Sequence, residues 1–186
     1  DIETEFSEML EYIKSENPSI QIIAVGDMAQ KIYDKTTLDV SAFMEKFLGP
    51  HIKLAFTKCF RLSAGLAEKL GHIWKKKIIG VNDSCMVEEM TVSEVMEFLS
   101  MQDPKEILCL GSRNGEMANA LNNLENSYPN RFNKNTVYAS IVDKDSLGRS
   151  MPGKNSAIFT TFDSSKGLER KICVVFDFTE SYWNVR

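Results

Sequence analysis

Short, largely apolar runs punctuate this chain at Ile22–Val25, Ile52–Phe56, Glu106–Leu110, Thr136–Val142, Ala157–Phe162 and Lys171–Phe178. Runs this continuous suit strands covered on both faces, because a strand with one wet face alternates apolar and polar residues instead. Between them lie stretches whose apolar residues recur at helical spacing. That alternation leaves few architectures open, since parallel strands need crossover connections and the crossing helices pack on the sheet. The expected fold class is α/β, a mainly parallel sheet flanked by helices. In open sheets of this kind ligands bind beyond the carboxyl ends of the strands.

The helical stretches mark their own ends. Phe6, Met9, Leu10 and Ile13 form one stripe, while Glu3, Glu5, Glu8 and Glu11 lie off it, gathered where a helix N-terminus favours acids. Asn17-Pro18 stops that helix. Asp39 is the expected N-cap of a second, with Val40, Phe43, Met44 and Phe47 on one face and Gly49-Pro50 at its close. Ser63 caps a third, apolar along Leu66, Ala67, Leu70, Ile73 and Trp74. Lys75-Lys76-Lys77 then read as a solvated helix end sooner than as a nucleic-acid contact, being a small patch beside a typical footprint. Thr91-x-x-Glu94 is a capping box ahead of Val95, Met96 and Leu99. Ser112–Asn114 should open a last helix, with Met117, Ala118, Leu121 and Leu124 facing inward, and Asp143–Asn155 reads as a mobile loop.

With 186 residues the chain can form one good-sized domain, or one domain and part of another. A net charge of −4 spreads no basic field, so any nucleic-acid surface has to be local. No apolar run approaches the ~20 residues a membrane helix needs, and nothing reads as a signal peptide. Cys59, Cys85, Cys109 and Cys173 lie far apart with no C-x-x-C pair, and Cys109 and Cys173 fall inside apolar runs. Buried free thiols and a reduced, cytoplasmic setting are expected. With His51 and His72 the only histidines, no zinc site is expected. Beginning at Asp1 without an initiator methionine, the chain reads as a piece of something longer.

Three segments carry candidate chemistry. The first, Gly26-Asp27-x-x-Gln30-x-Ile32-Tyr33, delivers Asp27, Gln30 and Tyr33 from the carboxyl end of the first apolar run; Gly-Asp alone would be an ordinary turn. The second, Lys58-Cys59-Phe60-Arg61-Leu62-Ser63, sets an aromatic ring beside an arginine at a strand–helix junction. A ring there can stack on a base, and a guanidinium can fork onto phosphate oxygens. The third, Thr161-Phe162-Asp163-Ser164-Ser165-Lys166-Gly167-Leu168-Glu169, combines small hydroxyls, a glycine that admits a ligand to the backbone, and a lysine. A fourth stretch, Gly148 to Asn155, nearly fits the P-loop spacing. Asn155 lacks the Mg²⁺-binding hydroxyl, Pro152 removes an amide, and a strand follows where a P-loop needs a helix, so it reads as a surface loop.

Together the three segments resemble motifs III, IV and V of the UvrD/Rep/PcrA-type superfamily 1 DNA helicases, in the family's order, across residues 26–169. The second is similar to an Asn-Tyr-Arg-Ser motif with Cys59, Phe60 and Leu62 at the Asn, Tyr and Ser positions. The third is close to Thr-x-His-x-x-Lys-Gly-Leu-Glu, with Asp163 where the family has histidine; a carboxylate there repels phosphate. The resemblance implies that residues 1–51 are the tail of a first RecA-like domain and 52–186 most of a second, incomplete at its C-terminus. It further implies ATP and Mg²⁺ in the complete protein, single-stranded or partly duplex DNA as partner, and no membrane.

By that match Gln30 senses the terminal phosphate, Asp27 supports the motif, and Tyr33 joins the nucleotide side. Phe60 stacks on adenine and Arg61 is the arginine finger. Lys166, Gly167 and Glu169 face the nucleotide, Glu169 at the ribose, while Thr161 and Ser164 lie near the DNA backbone. The family's P-loop, motif II and motif VI are absent from this sequence, although Asp1 could be the tail of motif II. The stretch from Arg113 to Thr161 is too short for the family's large inserted DNA-gripping subdomain, which implies a compact relative. The expected function is a fragment of an ATP-dependent DNA helicase or translocase, itself unable to hydrolyse ATP. The alternative is a degenerate, non-catalytic helicase-like module that binds protein or nucleic acid, which the changes at Cys59, Leu62 and Asp163 favour.

Overall fold

A computed structural model describes residues 3–27, 38–140 and 147–180. It divides into two compact units, residues 1–86 and 87–186. Among the described residues no helix is long and apolar enough to cross a membrane.

The first unit holds α1 (Thr4–Glu16), α2 (Val40–Leu48), β1 (Lys58–Cys59), α3 (Ala64–Trp74) and β2 (Ile79–Gly80). Asp39 caps α2 through Ala42 N at 3.0 Å, and Phe43 stacks on Phe47 with ring centroids 5.4 Å apart, both rings buried. Lys14 of α1 donates to Phe47 O and lies over the Phe47 ring, which ties α1 to α2. The Ser63 hydroxyl caps α3 through Leu66 N as expected.

Two expected strands of this unit are not formed. Residues 21–27 have no regular structure, with Ile23 80% and Val25 78% exposed, and 52–57 are likewise irregular, with Leu54 85% and Phe56 89% exposed. A strand is stable only as part of a ladder. Neither run has a strand partner among the described residues, and the ladder that does form is the short parallel pair of β1 and β2. The stripes of α1 and α3 are also more open than their spacing suggests: Phe6, Met9, Ile13, Ile73 and Trp74 are exposed, and Ala67 is the buried residue of α3.

The second unit follows the expected plan. It contains α4 (Val92–Met101), β3 (Ile107–Gly111), α5 (Glu116–Ser127), β4 (Val137–Ser140), β5 (Ala157–Thr161) and β6 (Ile172–Val175). The strands form an all-parallel sheet in the order β4-β5-β3-β6. One face, through Ile107, Cys109, Val137, Ala157 and Phe159, packs against Val95 and Leu99 of α4 and Met117, Leu121 and Leu124 of α5. Each Val, Leu, Ile, Phe or Met among them contributes ~1.5–3 kcal/mol when taken fully out of water. The other face gathers Leu108, Tyr138 and Ile158, with Leu110 and Leu168 packed on them. Every residue of β5 is buried, as expected for a strand covered on both sides.

The Thr91–Glu94 capping box is present at α4. The start of α5 differs from expectation: the helix begins at Glu116, and its N-cap, Gly115, has no side chain to offer. The caps come from Asp177, just past β6, whose carboxylate accepts from Ser112 N at 2.9 Å and Glu116 N at 2.7 Å. Cys109 is buried as expected, whereas Cys173 is exposed because β6 is an edge strand and this residue sits on its open face.

Candidate functional site

The Thr161–Glu169 segment starts at the carboxyl end of β5, in the interior of the sheet. Thr161 is buried; its hydroxyl donates to Ser164 Oγ at 3.1 Å and accepts from Ser164 N at 3.4 Å. These bonds fold Asp163–Ser165 into a 3-10 turn, which Ser165 Oγ closes on Phe162 O at 2.6 Å. Gly167 then adopts φ +80°, a left-handed conformation that a side chain would strain. Reversing there, the chain lays Leu168 against the Leu108, Tyr138 and Ile158 cluster.

The turn forms one side of a recess of about 300 Å³. Tyr138, Ser140 and Thr160 line it from the sheet, Ser164, Lys166 and Leu168 from the turn, and Ser150 to Pro152 from the loop before β5. Thr160 Oγ1 donates to Ser140 O at 3.2 Å, which joins β5 to β4 at the sheet side. Hydroxyls around one ammonium suit an oxyanion, while Met151, Pro152 and Leu168 offer apolar contact. The volume lies at the small end of ligand sites.

Of the loop expected over Asp143–Asn155, residues 143–146 lie outside the described residues, and the described part is held at two points. Arg149 Nη2 donates to Val137 O at 2.7 Å and Lys134 O at 3.3 Å, and its guanidinium lies 5.9 Å from the Tyr138 ring centre. Arg170 bonds the carbonyls of Gly153 and Ser156. The near-P-loop stretch within this loop leads into β5, a strand, as its sequence context indicated.

In the first unit, Phe60 and Arg61 follow β1 in a bend ahead of α3, both exposed, Phe60 at 76%. Asn82 holds that bend, its side chain donating to Arg61 O at 3.4 Å and its amide to Leu62 O at 3.0 Å. Gly80 of β2 is the other support: a Cβ there would stand 2.2 Å from Ser63 O and 2.6 Å from Leu62 O, so only glycine admits this crossing. Asp27 pairs with Lys76 at 2.5 Å, which gives one lysine of the expected solvated triplet a partner. Gln30 and Tyr33 lie outside the described residues.

The structure thus brings Thr161, Ser164 and Lys166 around one turn, with Gly167 and Glu169 next in the chain. Asp27, Phe60 and Arg61 belong to the other unit. Lys76, Gly80, Arg149, Arg170 and Asp177 were not singled out by motif. Their partners are mostly backbone atoms, which no residue pattern records; Gly80, bounded by apolar residues before Asn82, carried at most the signal of a glycine interrupting an apolar run. No protein-family model, no curated protein and no solved structure matches this chain.

Proposed function

We propose that this chain is part of an ATP-dependent DNA helicase or translocase, with the second unit belonging to a RecA-like domain. The observation that carries the reading is the Thr161–Glu169 turn: hydroxyls, a lysine and a left-handed glycine at the carboxyl end of an interior strand in an all-parallel sheet. That is where such folds bind ligands. The exposed Phe60-Arg61 pair at a strand–helix bend supports the same reading.

Phosphoryl transfer needs little covalent chemistry from protein; it rests on positioning and on charge aimed at the reacting phosphoryl group. In this reading Phe60 stacks on the adenine and Arg61 forks onto the terminal phosphate. Gln30, with Asp27 and Tyr33, relays the phosphate's presence, and Glu169 holds the ribose beside Lys166 and Gly167. Thr161 and Ser164 take the DNA backbone. No residue of this chain is assigned to Mg²⁺, which in a nucleotide site is held by one or two side chains together with phosphate oxygens and water.

Phosphate release by the intact protein, with and without single-stranded DNA, tests the proposal. DNA-stimulated hydrolysis is expected, and the 186-residue chain alone should release none because its sequence has no P-loop. Phe60→Ala should raise the KM for ATP about tenfold with a smaller effect on kcat, on the scale of one lost base–aromatic stack. An intact protein that binds DNA yet hydrolyses no ATP would leave the non-catalytic module as the better description.

A further inference from the structure

Arg170 directly follows Glu169, and its guanidinium bonds the loop before β5. Nη1 donates to Glu169 O at 2.9 Å; Nη2 donates to Gly153 O at 3.0 Å and Ser156 O at 3.3 Å. Its Nε is buried and has no hydrogen-bond partner among the described residues. Arg170 is half-buried: its terminal nitrogens bond backbone carbonyls near the surface, while the Nε is desolvated. That desolvation costs free energy that the surrounding contacts must outweigh. At the other end of the loop Arg149 binds the start of β4 and lies over Tyr138. Between the two arginines, Ser150, Met151 and Pro152 form the wall that faces Ser164 and Lys166.

We propose that Arg170 is a positioning residue, a clasp that fastens the 149–156 loop to the Lys166–Glu169 turn and so fixes the width of the recess around one phosphodiester group. The choice of ligand rests on the nucleic-acid reading above; the clasp rests on geometry alone. Arg170 touches no ligand in this scheme. It acts through the loop, with its charge spent on carbonyls, and the planar fork is needed because two carbonyls of the loop share one nitrogen while the other nitrogen holds Glu169.

Hydrogen exchange of the 186-residue chain and its affinity for a short fluorescent oligothymidylate across a salt series test this. In Arg170→Met, amides of residues 147–157 should exchange at least tenfold faster while those of β3 stay unchanged. Affinity should fall several-fold with no change in the slope of log affinity against log salt. Arg170→Lys should fall between wild type and Arg170→Met. Unchanged exchange in 147–157 overturns the clasp. Faster exchange throughout the second unit makes Arg170 merely structural, and a slope lowered by about one, as loss of a phosphate contact does, makes it a phosphate ligand; either result also overturns the proposal. If the wild-type chain binds no oligonucleotide, the nucleic-acid reading fails, and exchange alone decides the clasp.

Discussion

Asp177 does from 61 residues away what a helix start usually does for itself. Its backbone is held at φ 56°, and its carboxylate takes the first amides of α5 and the amide of Ser112. Burial pushes this carboxyl up, but the amides of Glu116, Ser112 and Met117 and the Ser112 hydroxyl outweigh it, leaving the group below its ordinary 3.8. A carboxylate depressed by folding contributes stability that is fully present above its unfolded value and is lost as pH falls through the folded one. Asn keeps one acceptor oxygen but turns an NH2 towards the other amide. Asp177→Asn should therefore cost about 1–3 kcal/mol near neutral pH, the scale of one lost hydrogen bond to a charged group, with the gap to wild type closing below pH 3.8. Denaturant unfolding across pH measures this, and a gap independent of pH would exclude the cap. Gly80→Ala forces a different outcome, because its neighbours at 2.2–2.6 Å are backbone and cannot rotate away. It should cost about 1–3 kcal/mol in chemical denaturation and, in the intact protein, disturb ATP use through the Phe60-Arg61 bend.

Among the elements, the sheet of the second unit was legible because its strands combine apolar continuity with turn residues at both ends. All of β3, β5 and β6, and β4 as far as described, fall within the expected runs, give or take one residue. Caps at Asp39, Ser63 and Thr91 were legible because each bond spans three residues. Ile22–Val25 and Ile52–Phe56 were misread for the converse reason: apolarity makes a run fit for a strand, but pairing depends on distant chain. The two cysteines of β3 and β6 show what register adds. Leu108 pairs with Cys173 and Cys109 with Val174, so the two thiols lie on opposite faces and do not form a disulfide. Burial raises both thiols, Cys173 above its ordinary value and Cys109 well above it. A thiol reagent should label Cys173 in the native chain and Cys109 only after denaturation. Equal rates, followed by mass spectrometry, would contradict the register.

At the scale of the whole molecule, the two units should differ in stability. The second has a four-stranded sheet with apolar clusters on both faces; the first has a two-residue ladder and exposed Ile23, Val25, Ile52, Leu54 and Phe56. Local protection follows buried contacts and paired amides. Amide exchange should be slowest in β3 and β5 and fast across 20–27 and 52–57, and equal protection of both regions would contradict this picture. The functional claim depends on Arg61 reaching the phosphate that leaves. Turnover of ATP by the intact protein, wild type against Arg61→Lys at saturating single-stranded DNA, measures that most directly. An arginine finger contributes on the order of 10³-fold to turnover, and lysine lacks its planar fork. The expected result is a loss approaching that size with nucleotide still bound; near-normal turnover in Arg61→Lys would contradict the claim.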